Sequence, residues 1–306
     1  MSGIAVLGFL ALTHAHAVGA TVQTIADAHA AWAFALLGLA GAGPLLQSAM
    51  LRAGQATVGA RIGPWEAIRL AAAIHAANLA VKAAGAAGLG VLLARRDASV
   101  ERAAQSAAYV LGREVAHVAF AGVVLGALVL IGVDGHLSGL IVGGAALFFL
   151  SRAAHVALLC FAATHPQALP RWRRLDPLRA HAPSFAGALR RAAAHPRQLL
   201  GIAAWAIADD ALHIGWLWVA LHAVGAHTSV DVAVETYGLV ALLAMISILP
   251  AGLGAVDAGL VATLHQSGLV MGTAVAGVLL FRVADLWVPL AAGARPALAA
   301  ARSRAS

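Results

Sequence analysis

Charge is what this chain has least of. Of 306 residues only 11% are Asp, Glu, Lys or Arg, against about 25% in ordinary soluble domains. One cysteine, Cys160, rules out an intramolecular disulfide and a cysteine-based zinc or iron–sulfur centre. Aromatics amount to only 6%, which suits close helix–helix packing in lipid. Neither G-x-S-x-G nor H-E-x-x-H occurs, and Gly252-Leu-Gly254 lacks the strand–helix context of a dinucleotide site. His14/His16 and Asp209-Asp210-x-x-His213 lack further ligands for a metal. No catalytic domain outside the apolar segments is expected, and neither a cofactor nor a metal.

What is present is apolar: 61% of residues are hydrophobic, and Ala and Gly abound where helices in lipid need close approach. Together these predict an all-α polytopic integral membrane protein forming one transmembrane domain over 1–306. Spanning helices are expected at about 3–21, 30–51, 104–133, 137–163, 199–224 and 272–294. Residues 1–20 carry Ala15-His16-Ala17, which resembles a cleavage site, but no Lys or Arg precedes it, so a retained helix is expected.

Two further apolar stretches are interrupted. Residues 66–94 break at Lys82-Ala-Ala-Gly85-Ala-Ala-Gly88, and 231–268 break at Pro250-Ala-Gly252-Leu-Gly254. Each half is near or below the roughly 20 residues that cross a bilayer, so both read as re-entrant-like helical hairpins. Irregular backbone at that depth survives only where protein or a water-filled cavity covers it.

The formal charge of +7 is nearly all arginine, with Lys82 the single lysine. Seven arginines fall in the 164–198 loop. Between spanning helices, this pattern indicates a cytoplasmic loop rather than nucleic-acid binding. Within it, 183–195 reads either as an amphipathic surface helix, Phe185 and Leu189 inward and Arg190 and Arg191 at head groups, or as a solvated linker. The N-terminus, this loop and the C-terminus are expected on the cytoplasmic side of the cell membrane. Segments 22–29, 134–136 and 225–231, which lack Lys and Arg, are expected outside.

That path implies an inverted repeat. One helix–hairpin–helix unit covers 30–133, and its inverted partner covers 199–294. Gly88 precedes Arg113 by 25 residues and Gly254 precedes Arg282 by 28, and an acid follows each arginine, Glu114 or Asp285. Paired Gly/Pro-interrupted segments in two halves mark transporter-type sites at the midplane.

Ionisable residues inside such segments cost roughly 2.5–3.5 kcal/mol each on insertion scales. Lys82, Arg113, Arg152 and Arg282 stand against Glu114, Asp209, Asp210, Asp257 and Asp285, which implies mutual pairing. Spacing of i,i+3 or i,i+4 puts Glu114/His117, Arg152/His155, Asp210/His213, Arg282/Asp285, Arg113/His117 and Asp209/His213 on shared faces. The bland reading is a set of clamps between helices, with Arg152 snorkelling and Asp257 capping its helix. The functional reading gives Lys82, Arg113 and Arg282 to a phosphate-bearing head group. Glu114, Asp257 and Asp285 then balance charge or meet a cationic moiety, and Asp209, Asp210 and His213 are candidates for proton coupling. Arg113 and Arg282 are expected to approach each other in one cavity.

The run Leu249-Pro250-Ala-Gly252-Leu-Gly254-Ala-Val-Asp257, followed by Phe281-Arg282-Val-Ala-Asp-Leu-Trp287-Val-Pro289, resembles the transmembrane region of lysyl-phosphatidylglycerol synthases and, more broadly, flippase-like membrane proteins. That family shows a P-x-G-x-G-x-x-E break and then an R-x-x-x-x-W-x-P helix. Its first half has an Asn-containing, Gly-rich break, similar to Asn78 through Gly88. Two positions depart from the pattern: Asp257 stands where Glu is usual, and Val81-Lys82 where many members have proline. The 306 residues contain no aminoacyl-transferase domain, so lipid synthesis is not expected of them. The resemblance implies movement of a phosphate-bearing lipid between leaflets, anionic, aminoacylated or polyprenyl-linked. The expected partners are membrane lipids, with a homo-oligomer or a lipid-modifying enzyme as further candidates. Rival readings are a membrane-embedded transferase using Asp257 and Arg282 on lipid-linked donors, a proton-coupled small-solute transporter, and a structural partner protein.

Overall fold

The computed structural model describes residues 15–80, 102–131, 194–246 and 254–293, with shorter pieces between 142 and 191. Helix is the only regular structure among them, with nine α-helices outside the shorter pieces. These are α1 (Ala15–Ala26), α2 (Ala30–Ala40), α3 (Ala42–Ala56), α4 (Pro64–Ala80), α5 (Arg102–Ile131), α6 (Pro196–Ala223), α7 (Val230–Ile246), α8 (Ala255–Gln266) and α9 (Met271–Arg282). After α9 the chain runs through a π turn, Val283–Trp287, and stays helical to 293.

Local chemistry sets the ends. Pro64 and Pro196 open α4 and α6, where a missing amide hydrogen costs no helical bond. Glu66 and Asp231 sit in first turns, against the positive end of the helix dipole. Gly225 closes α6 with φ +77°, letting the Ala226 amide donate to the Leu221 carbonyl at 2.9 Å.

Among the described residues, three helices are long and apolar enough to cross a membrane: Ala30–Ala56, Ala104–Val124 and Met271–Gly293. They agree with the expected spans at 30–51, 104–133 and 272–294. The first runs five residues further than expected, with one turn residue, Gly41, between α2 and α3. Helix α6 begins three residues before and ends one residue before the expected 199–224, but Asp209, Asp210 and His213 make it less apolar, and it is not one of these three. The expected end of the first helix at 21 is wrong, because α1 continues to Ala26 through residues assigned to an outer loop. Thr21 is buried there and α1 packs on α9, so tertiary contact overrides the polar TVQT run. Of the expected helix 137–163, the described residues 146–154 are helical. In the basic loop the described residues 186–187 and 190–191 are helical, with Ala186 buried and Arg190 and Arg191 exposed.

Helix α6 is the centre of the molecule. It packs against α2, α3, α5, α7 and α9, and so against helices of both expected repeat units. Trp216, Leu217, Ala220 and Leu221 of α6 are buried with Leu36, Leu260, Leu264, Ala274, Ala276 and Phe281. Limbs α7 and α8 of the second hairpin pack on each other. Pro250 and Gly252 lie outside the described residues, as does the first break with Lys82, Gly85 and Gly88; α4 is that hairpin's described limb.

Small residues set the spacing between helices. A Cβ added at Gly293 would collide with the Ala72 carbonyl oxygen, and one at Gly277 would meet Leu221 at 2.6 Å. The first neighbour is backbone and cannot rotate away. Gly293→Ala is therefore expected to cost about 1–3 kcal/mol by overpacking. The check is a lower thermal midpoint of the purified protein in detergent; an unchanged midpoint would mean that the helices do not touch there.

Candidate functional site

Five carboxylate, guanidinium and imidazole side chains form one chain across four elements. Arg282, at the end of α9, donates from Nε to Asp257 Oδ1 at 2.6 Å and from Nη1 to Asp285 Oδ2 at 2.5 Å. Asp285 lies on the π turn, and its Oδ1 is 3.5 Å from Nε2 of His213 on α6. The other ring nitrogen, Nδ1, is 2.7 Å from the Asp209 carbonyl oxygen one turn back. The arginine side chain is only 9% exposed, and Asp285 and Asp257 are 18% and 31% exposed. The two charge-assisted bonds of Arg282 offset its burial.

Asp257 combines the two readings the sequence left open. Gly254, at φ +89°, begins the second limb of the hairpin, and its amide donates to Asp257 Oδ2 at 3.1 Å. The same carboxylate thus caps α8 with one oxygen and receives Arg282 on the other.

On its other side the chain reaches a cavity. A space of about 360 Å³ lies between α3, α4, α5 and α6, lined by Gln47, Met50, Leu51, Ile74, His75, Tyr109, Arg113, His117 and Asp209 among others. That is the size of a small-ligand site, and its wall is mostly apolar with a few polar groups. Gln47 Nε2 and His75 Nδ1 are 3.3 Å apart. Arg113 makes no hydrogen bond or ion pair to the described residues, whereas Glu114 beside it is buried and 3.6 Å from Arg152 Nη1. His117 Nδ1 is 3.9 Å from the other Glu114 oxygen.

The expected pairs are thus sorted. Arg282/Asp285, Glu114/His117 and Asp209/His213 form, the last with Nδ1 4.0 Å from Asp209 Oδ2. Arg152 does not merely snorkel: it meets Glu114 and lies 5.5 Å from the Phe148 ring centre. Asp210 is engaged by Tyr237 of α7. Two expectations need correction. Arg113 and Arg282 do not share a cavity wall, since Asp209, His213 and Asp285 stand between them and Arg282 is not among the lining residues. Nor are the arginines equivalent. An acid at i+3 can turn back onto its arginine, while one at i+1 faces elsewhere on the helix.

His75, Gln47 and Tyr237 were missed. His75 is an ionisable group on an apolar helix limb, seven residues before Lys82, and that alone marked it as a candidate. The description "Lysylphosphatidylglycerol synthase TM region" matches residues 2–293, nearly the whole chain. The chain belongs to this family. Among curated proteins no match is found. As a member of the lysylphosphatidylglycerol synthase TM region family it is a membrane protein related to lipid handling. Its Arg282 and Asp257, the positions of the family-like motif, are the pair that ties α9 to the second hairpin.

Proposed function

We propose that this protein moves a phosphate-bearing lipid between the leaflets of the cell membrane. One observation carries the reading: Arg113, which makes no hydrogen bond or ion pair to the described residues, lines a cavity whose remaining wall is largely apolar. A guanidinium matches a phosphate with paired hydrogen bonds, and apolar walls suit the glycerol and first methylenes of a lipid. A volume of about 360 Å³ admits a head group rather than whole acyl chains, which stay in the bilayer. In this reading Arg113 and Lys82 engage the head group, and Arg282, Asp257 and Asp285 hold the second hairpin. Glu114 neutralises Arg152, leaving Arg113 unpaired among the described residues. The inverted repeat, with hairpins 66–94 and 231–268 entering from opposite faces, supplies two-sided access. The N-terminus, the 164–198 loop and the C-terminus lie in the cytoplasm, and no bond is made or broken.

The test is lipid movement in proteoliposomes, with fluorescent anionic, aminoacylated and polyprenyl-linked lipids. Wild-type protein is expected to speed at least one of these over protein-free vesicles. No acceleration of any of them overturns the proposal. A new lipid product formed in detergent, where no second leaflet exists, would point to a transferase instead.

A further inference from the structure

A carbonyl oxygen only accepts, so the His213 Nδ1 held 2.7 Å from the Asp209 carbonyl carries a hydrogen. The other ring nitrogen, Nε2, faces Asp285 Oδ1 at 3.5 Å. An ionised carboxylate also only accepts. That contact is attractive only when a second proton lies between ring and carboxylate. The groups around the ring are Asp209 and Asp210 on its own helix, His75 on α4, Asp285 on the π turn and Tyr237 on α7, with ring centres 5.7 Å apart for the last. Arg282 reaches it through Asp285.

The proton has a route and a consequence. A second cavity of about 10 Å³ is lined by Gln47, His75, His213 and Asp285, about the space one water needs. Gln47 and His75 line the large cavity as well, so a water there would join the substrate space to Nε2. On the far side, Asp285 also holds Arg282, and Arg282 holds the Asp257 that caps α8. Gain or loss of the proton therefore changes the grip on the second hairpin.

We propose that His213 is the binding site of a coupling proton, by which a transmembrane proton gradient drives the lipid movement. The cargo rests on the reading given under Proposed function; the proton site does not. One proton per lipid lets a gradient of one pH unit support up to about a tenfold accumulation.

The experiment uses proteoliposomes holding a pH-sensitive dye, with fluorescent phosphatidylglycerol as the probe and a one-unit gradient. In wild type, lipid movement is expected to change at least about threefold with the gradient and to lose that response with a protonophore. His213→Gln is expected to move lipid at a rate indifferent to the gradient. Wild-type movement indifferent to the gradient overturns the proton site and leaves lipid transport standing. If no phosphatidylglycerol moves, that lipid is excluded as cargo and the dye decides. Proton entry above that of empty vesicles, lost in His213→Gln, keeps the site; no such entry overturns it. Should His213→Gln not fold, Asp285→Asn takes its place.

Discussion

Replacing Arg113 by alanine is expected to cut lipid movement by at least about tenfold while leaving the protein as heat-stable as before. A hydrogen bond to a charged group is worth about 1.5–3 kcal/mol, or roughly ten- to a hundredfold in binding. Stability is spared because Arg113 forms no pair with the described residues, so its removal strands no carboxylate; Glu114 keeps Arg152 and His117. The thermal midpoint should shift by no more than about 2 °C, as for substitutions away from buried features. Arg113→Lys keeps the charge but loses the bidentate fork, and should fall between. Full transport by Arg113→Ala would remove the head-group site from this cavity.

Arg282→Met is expected to do the opposite and strike stability first. Methionine matches much of the volume but leaves Asp257 and Asp285 facing a pocket without its cation. Breaking a buried pair on one side costs about 3–5 kcal/mol, here lowering the thermal midpoint by about 5–10 °C. Pairing Arg282→Met with Asp285→Asn should recover part of that loss, because the stranded charge is gone. The measurement is thermal aggregation of the purified variants in detergent. A midpoint within about 1 °C of wild type would show that the Asp257–Arg282–Asp285 chain does not hold the hairpin.

Much of the architecture was legible because lipid imposes a length on apolar runs: the helices at 30–56 and 271–293 were readable from hydrophobicity alone. Pairs within one helix were legible too, since i,i+3 spacing already places Arg282 against Asp285. Partners on different helices were not. Nothing in the spacing of Gln47, His75 and Asp209 says that α3, α4 and α6 bring them to one cavity. The recurrence of arginine-then-acid after each break suggested two equivalent halves, but one residue of spacing against three gives one arginine a clamp and the other none among the described residues. The π turn was equally hidden, because Val283-Ala-Asp-Leu-Trp287 contains neither the glycine nor the proline that flags a helix irregularity.

That turn widens the hydrogen-bond ring from i,i+4 to i,i+5 and so stores one surplus residue. In an α-helix each residue advances the face by about 100°, so the stretch beyond Trp287 is out of phase with α9. A straight helix would present one continuous stripe to one neighbour. This one presents Arg282 to α8 and, eleven residues on, Gly293 to Ala72 of α4. The two hairpins that the sequence interrupts in parallel are therefore joined through a single rod with two facets, and a twist of either facet is felt by the other.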